Sequence, residues 1–234
     1  MAKKNQKTEV VEAQEVLNKS EALIVKYKKP IIIALAAIIA IVVGVYCYNN
    51  YYKAPREAKA STTLAKGQEL VANQQYDKAL KGDGAAFGGL IKLADEFSGT
   101  DAGNLANLYA GLCYARLEKP DYKKAIEYLE KYDCGEDILI SPAAKSALGD
   151  AYASDKQLDK AIECFKEAAK MADKQAANDM STALAPYFLV KAGVLLESQG
   201  KKAEALEIYK DIKKKYVNSP YYNEVDKYIE RASN

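Results

Sequence analysis

The chain contains no histidine among its 234 residues. Histidine is the commonest general base, the usual activator of serine and cysteine nucleophiles and a frequent metal ligand. The formal net charge is only +2 at pH 7, and no basic stripe accompanies it, which argues against nucleic acid as a partner. We therefore expect a protein that is not an enzyme, with no catalytic residues, no metal site and no cofactor.

Cysteine is scarce as well. The four residues Cys47, Cys113, Cys134 and Cys164 are too few and too scattered for a disulfide framework or a zinc site. Cys47 lies in an apolar segment, and the other three lie on or beside predicted helices. We expect each of those three to be a buried free thiol.

One segment differs sharply in composition from the rest. Residues 30–52 carry no charge and are mostly aliphatic, and about 20 such residues cross the hydrocarbon core of a bilayer. A buried core helix would be shorter and less uniform, and a cleaved signal peptide would need a small-x-small site, which Val45-Tyr46-Cys47-Tyr48 does not offer. The sequence predicts a transmembrane signal anchor at 30–52, a lysine-rich tail at 1–29 and a folded domain at 53–234.

Orientation follows from the flanking positive charges. Lysines and arginines are nearly balanced on the two sides, but Lys26, Lys28 and Lys29 directly abut the apolar segment. This favours a cytoplasmic N-terminus and a single pass, with the folded domain outside the cytoplasm. Apolar residues between Val10 and Tyr27 recur at helical spacing, which predicts a short amphipathic helix in the tail.

Small residues form a stripe within the apolar segment. Ala36, Ala40 and Gly44 recur every four residues, the pattern that lets a second membrane helix approach closely. In an alanine-rich segment such a stripe also arises by chance. If it is used, the second helix belongs to a partner protein or to a second copy of the chain.

Residues 54–234 are predicted to be helical throughout, and they contain an internal repeat. One copy is complete, with Leu148, Gly149, Tyr152, Leu158, Ala161, Phe165 and Ala168 at the diagnostic tetratricopeptide positions. Three further copies align on Gly67, Gly111 and Gly193. These glycines are farther apart than the roughly 34 residues of one repeat, so we expect lengthened connections.

Each repeat places a glycine on its first helix against an alanine on its second, because the two helices cross closely there. One repeat cannot bury its apolar face alone, and stacking several repeats does so. The fold class predicted is therefore all-α: one N-terminal transmembrane helix, then a right-handed tetratricopeptide-repeat α-solenoid with a C-terminal capping helix. An unrelated helical bundle is the alternative.

Several helix ends can also be predicted. Ser141-Pro142 supplies an N-cap and a first-turn proline, and Ser219-Pro220 does the same for the last helix, Tyr221 to Arg231. Pro186 either opens its helix or kinks a longer one. The glycine-rich stretch 82–89 does not have the spacing of a phosphate-binding loop, and we expect it to be a turn that opens the second helix of the first repeat.

The order of a lysine-rich tail, one anchor helix and tetratricopeptide repeats, with the linkers Phe97-Ser98-Gly99-Thr100 and Tyr216-Val217-Asn218-Ser219-Pro220, resembles a bacterial envelope family. That family includes YfgM-like ancillary subunits of the SecYEG translocon and the cell-division coordinator CpoB. The resemblance implies a non-catalytic inner-membrane scaffold with a periplasmic repeat domain. Translocon subunits, periplasmic chaperones or unfolded clients would be its partners. An envelope-assembly or cell-division adaptor is the alternative.

The resemblance also implies a protein-binding groove along the first helix of each repeat. The family's groove positions carried over to this sequence are Leu105, Leu108, Leu112, Arg116, Ala143, Ser146, Asp150, Ser154, Tyr187, Val190, Val194 and Glu197. The lysine and asparagine set that clamps a C-terminal carboxylate is absent from them. We therefore expect a small apolar groove suited to a helix or an extended apolar segment, unless connecting helices bury these side chains.

Overall fold

The structure, a computed structural model, describes residues 27–234, and all regular structure among these residues is helical. A first helix, α1, covers residues 27–47, and a π-helical turn, Tyr48–Lys53, follows it. The remaining α-helices are α2 (Ala54–Ala72), α3 (Tyr76–Lys81), α4 (Leu90–Glu96), α5 (Asp101–Ala115), α6 (Tyr122–Lys131), α7 (Ile140–Ser154), α8 (Leu158–Gln175), α9 (Leu184–Ser198), α10 (Lys202–Lys215) and α11 (Val225–Ser233). The chain divides into two units, Met1–Pro55 and Arg56–Asn234.

The first unit contains the apolar segment. The helical run that begins there at Tyr27 is long and apolar enough to cross a membrane, with a mean hydropathy of 2.8 over its most apolar 18 residues. A Cβ atom added to Gly44 would meet nothing within 4 Å, so close packing at Ala36, Ala40 and Gly44 stays a prediction. The amphipathic helix predicted for the tail lies outside the described residues.

In the second unit, antiparallel helices pair closely at the predicted glycines. A Cβ atom added to Gly111 would lie 2.6 Å from Leu129 Cγ, one added to Gly149 would lie 2.7 Å from Phe165 Cε1, and one added to Gly193 would lie 2.4 Å from Tyr209 Cε1. The alanines predicted to face these crossings are fully buried in all four repeats: Ala79, Ala125, Ala161 and Ala205. The predicted register is therefore confirmed for the pairs α5–α6, α7–α8 and α9–α10.

The first pair departs from this plan. The sequence predicts that the stretch 82–89 opens the second helix, but α3 precedes it, so the loop splits that helix into α3 and α4. The Asp83 carboxylate accepts two backbone N–H groups inside the loop, at 2.9 and 3.1 Å, and so stabilises the break. Phe87 and Leu90 instead cover Gly67, where an added Cβ would lie 2.7 Å from Leu90 Cδ2.

The prediction that Ser141 caps α7 is wrong. The helix begins at Ile140, and Ser141 and Pro142 are buried in its first turn. The Asp137 carboxylate makes the capping contacts instead, accepting the backbone N–H groups of Leu139 (3.0 Å), Ile140 and Ser141 (3.1 Å). An aspartate reaches these N–H groups from outside the helix, and its charge is favourable at a helix N-terminus.

The last helix also begins later than predicted, at Val225 rather than Tyr221. The Ser219 hydroxyl accepts the Tyr221 N–H at 3.1 Å and the Ser219 carbonyl accepts the Tyr222 N–H at 3.0 Å. These bonds hold the preceding residues in turns. Pro186 lies in the first turn of α9 and therefore opens that helix, which is the first of the two predicted alternatives.

The prediction of buried thiols is confirmed for Cys113 and Cys164 and wrong for Cys134. Burial raises the pKa of Cys113 to about 12. Cys134 lies in the loop after α6, where fewer side chains cover it, although partial burial still raises the pKa of its thiol. In the described part of the chain all four cysteines are free.

The close crossings lead to a test of the fold. In a fragment of residues 54–234, which should be soluble and strongly helical, Gly149→Leu should lower the free energy of unfolding by about 2 kcal/mol or more. The new side chain cannot fit beside Phe165 without forcing α7 and α8 apart. Urea unfolding followed by circular dichroism measures the change. Ser154→Leu is the control, because it adds the same side chain at an exposed site on the same helix; equal losses in both variants would contradict the assigned crossing.

Candidate protein-binding surface

The predicted groove residues of α5 differ in exposure. Leu105 and Leu112 are half-buried, Arg116 is exposed, and Leu108 is buried. Next to them the Tyr109 hydroxyl accepts a hydrogen bond from Gln68 Nε2 of α2 at 3.1 Å. This bond fixes the first helices of two successive repeats side by side. The α5 part of the surface is therefore a leucine-lined strip in which Leu105 and Leu112 are accessible.

The centre of the surface carries a lysine that the sequence analysis missed. Lys191 of α9 donates hydrogen bonds to Asp150 Oδ2 at 2.6 Å and to Ser146 Oγ at 3.2 Å, and both acceptors belong to α7. Its ammonium group also lies 4.4 Å from the ring centre of Phe165 and 5.4 Å from that of Tyr187. Cations are attracted to the faces of aromatic rings, so the lysine is held from several sides.

This arrangement changes the predicted character of the groove. The carried-over positions suggest a small and apolar surface, but an ion pair between Lys191 and Asp150 lies in its middle. The helical period could have found the lysine, since residue 191 follows Tyr187 by four and residues four apart share a helix face. The other two predicted positions on α7, Ala143 and Ser154, are exposed, and Ser146 is buried.

On α9 two apolar side chains reach solvent. Tyr187 is 41% exposed and Val194 is 39% exposed, whereas Val190 is buried. The Tyr187 ring also packs against Tyr221, with ring centres 6.1 Å apart. The segment before α11 thus borders this end of the surface.

Glu197 is engaged by the C-terminal helix. Its carboxylate accepts hydrogen bonds from Arg231 Nε (2.6 Å) and from a second guanidinium nitrogen (2.8 Å), and it also accepts the Tyr209 hydroxyl. The Arg231 hydrogen bond is the largest cause that holds the pKa of Glu197 below its ordinary value. Burial, followed by the bond to Glu197, raises the pKa of Tyr209. Glu197 therefore fastens α11 to the last repeat.

The structure thus brings part of the predicted set together at the surface. The accessible members are Leu105, Leu112, Arg116, Ala143, Asp150, Ser154, Tyr187 and Val194. Leu108, Ser146 and Val190 are buried, and Glu197 is occupied by Arg231. Contact of the accessible residues with a partner stays a prediction.

Comparisons with known proteins agree with this architecture. Residues 187–219 match the tetratricopeptide repeat family model. A crystal structure of a putative kinesin light chain with nearly identical TPR-like repeats, from Podosopora anserina, is 13% identical, covers 75% of this chain and 86% of its own, and has a TM-score of 0.54. A crystal structure of a single-substitution form of that protein is also 13% identical, covers 75% of this chain and 85% of its own, and has a TM-score of 0.53. No curated protein sequence matches the chain.

These likenesses show the fold. The folded part of the chain is a tetratricopeptide-like α-solenoid, as the sequence predicts. Repeats of this kind are typically protein-interaction scaffolds rather than enzymes, because stacked pairs form an extended concave surface. At 13% identity, the side chains that would choose a partner are not inferred from these structures.

The contact between Glu197 and Arg231 should make stability depend on pH. Because the folded-state pKa of Glu197 is lowered, the pair contributes stability at neutral pH and loses it as the pH falls through that lowered pKa. Arg231 is about half exposed, so Glu197→Gln should cost about 1 kcal/mol at pH 7. Urea unfolding at pH 7 and pH 3 should show the difference between the two proteins shrinking at the lower pH. A difference that is equal at both values would contradict the proposed role of the carboxylate.

Proposed function

We propose that this protein is a membrane-anchored scaffold that binds another protein along the first helices of its repeats. The observation that carries the proposal is the surface centred on Lys191. Exposed apolar side chains, Tyr187 and Val194, lie there beside an ion pair with Asp150, on a rigid helical frame. The apolar helix at the N-terminal end supports an anchor.

Two kinds of contact are available to a partner on this surface. Burial of apolar area contributes about 25 cal/mol per Å², from which the entropy cost of association is subtracted. The leucine strip of α5 and the pair Tyr187 and Val194 supply that area. Asp150 remains exposed despite its bond to Lys191, so its carboxylate can still accept a hydrogen bond and orient the partner.

The location proposed is the bacterial inner membrane, with the N-terminus in the cytoplasm and the repeats in the periplasm. The support is the lysine cluster before the apolar segment, together with the resemblance to envelope repeat proteins. Partners there would be subunits of the Sec translocon, periplasmic chaperones or unfolded clients. The alternative, an envelope-assembly or cell-division adaptor, uses the same surface on different proteins.

Topology can be measured directly. An alkaline phosphatase fused after Asn234 should be active, because this enzyme matures only outside the cytoplasm. Replacing Lys26, Lys28 and Lys29 by glutamate should reduce the activity by weakening retention of the tail on the cytoplasmic side. A cytoplasmic reporter fused at the same place is the control. If that reporter were active in the unaltered chain and the phosphatase inactive, the periplasmic location would be wrong.

Partner contact can be tested by photo-crosslinking in cells. The photoreactive residue benzoylphenylalanine at position 194 should yield protein adducts, because Val194 is an exposed residue of the proposed surface, one turn of α9 from Lys191. The same residue at position 217 is the matched control, since Val217 is also an exposed valine but lies in the loop after α10.

Mass spectrometry of the adducts identifies the partner. Translocon subunits or chaperones would support the proposed location, and division or assembly proteins would favour the alternative. Adducts from position 217 but none from position 194 would place the interaction on another face of the repeats.

A further inference from the structure

The end of the loop between α6 and α7, together with the first residue of α7, exposes three consecutive aliphatic side chains. Ile138, Leu139 and Ile140 are 56%, 59% and 48% exposed. Single exposed apolar residues are ordinary, but an uninterrupted exposed run of this size marks a contact site in soluble domains. Ile140 precedes Asp150 by ten residues, or about 15 Å along α7, so the run lies well apart from the ion pair of Lys191 and Asp150.

The loop is held in one conformation. The Asp137 carboxylate accepts the backbone N–H groups of Leu139, Ile140 and Ser141, and it also accepts the Ser141 hydroxyl. These bonds fix the backbone from which the three aliphatic side chains project. A pre-organised apolar projection loses little conformational entropy when it is buried against something else.

Hydrogen bonds place this loop on the same edge of the repeat domain as the start of α2. The Glu57 carboxylate of α2 accepts the backbone N–H groups of Asp101 (2.7 Å) and Ala102 (2.9 Å) at the start of α5. One turn further along α5, the Asn104 side chain pairs with the backbone N–H and C=O of Asp133, both at 2.8 Å. The start of α2, the start of α5 and the α6–α7 loop therefore follow one another along a single edge.

The start of α2, at one end of that edge, is confined by the covalent chain. Arg56 follows Tyr52 by four residues, and four residues span about 14 Å at most in any conformation. Tyr52 is the last residue of the segment predicted to cross the bilayer. If that segment spans, the start of α2 stays within about 14 Å of the membrane surface, and tethering gives even a weak contact along the same edge a high effective concentration.

We propose that the segment Ile138–Ile140 inserts into the surface of the bilayer that anchors the chain, an inference that rests on the proposed membrane anchor. We choose lipid as the group that buries these side chains because the short link between Tyr52 and Arg56 keeps the bilayer close to this edge of the domain. The neighbouring Asp133 and Glu136 side chains are exposed and form no ion pair within the described residues. They stay in water, so insertion is limited to the three aliphatic side chains and does not depend on anionic lipid.

The chain contains no tryptophan, so a single introduced tryptophan reports its own surroundings. Full-length Leu139→Trp is reconstituted into nanodiscs of phosphatidylcholine with brominated or ordinary acyl chains. Insertion predicts a blue-shifted emission and a loss of intensity in the brominated lipid. Glu118→Trp is the control, because Glu118 lies beyond the far end of α5, which is 15 residues or about 22 Å long. Its emission should be unchanged by bromine.

The other possible results of this experiment would overturn the proposed insertion. Equal, unquenched emission from both variants overturns the inference. A blue shift at position 139 without bromine quenching means that protein, such as a second copy of the chain, covers the loop, and this also overturns it. Ile138→Trp serves as the second probe if Leu139→Trp loses helicity. A chain that fails to co-migrate with nanodiscs overturns the membrane anchor and this inference with it, whereas co-migration without quenching overturns only the loop contact.

Discussion

The close crossing of two helices within each repeat is the constraint on which the rest of the fold depends. At Gly111, Gly149 and Gly193 a single added carbon would lie within 2.4 to 2.7 Å of the partner helix, and real structures essentially never tolerate such contacts. The facing alanines are fully buried for the same reason. Side chains of the second helices, those of Leu129, Phe165 and Tyr209, fill the space that a side chain at these glycines would need.

Polar contacts at the ends of helices connect segments within a repeat and between successive repeats. Glu57 caps the N-terminus of α5 from α2, and Asn104 pairs with the backbone of Asp133 after α6. Asp173 at the end of α8 accepts the Tyr216 hydroxyl at 2.7 Å. The Glu57 contact satisfies N–H groups that the start of a helix leaves unpaired. Burial therefore forms each pair, while these end contacts set how successive pairs are joined.

Sequence reasoning predicted the parts of the fold that depend on period and residue size. Four copies of a glycine followed by an alanine 12 or 14 residues later determined the register, and the structure confirms it for three complete pairs. Sequence reasoning gave wrong helix boundaries where a single side chain reaches across a loop. Asp83 stabilises a break within the second helix of the first repeat, and Asp137 caps α7 from three residues before its start. Hydrophobic periodicity carries no information about such contacts, because they depend on loop geometry. The same holds for Glu197, whose bond to Arg231 spans 34 residues.

The ion pair of Lys191 and Asp150 shows why the fold alone does not define the ligand. A lysine in a repeat groove could bind a terminal carboxylate, yet here its ammonium already has Asp150 and Ser146 as acceptors. An incoming carboxylate must displace Asp150, so the gain is only the difference between two similar ion pairs. Apolar contacts at Tyr187, Val194 and the leucines of α5 face no such competition. In the proposed complex, discrimination should therefore rest on the shape of an internal apolar segment of the partner, with Asp150 orienting it, rather than on recognition of a chain end.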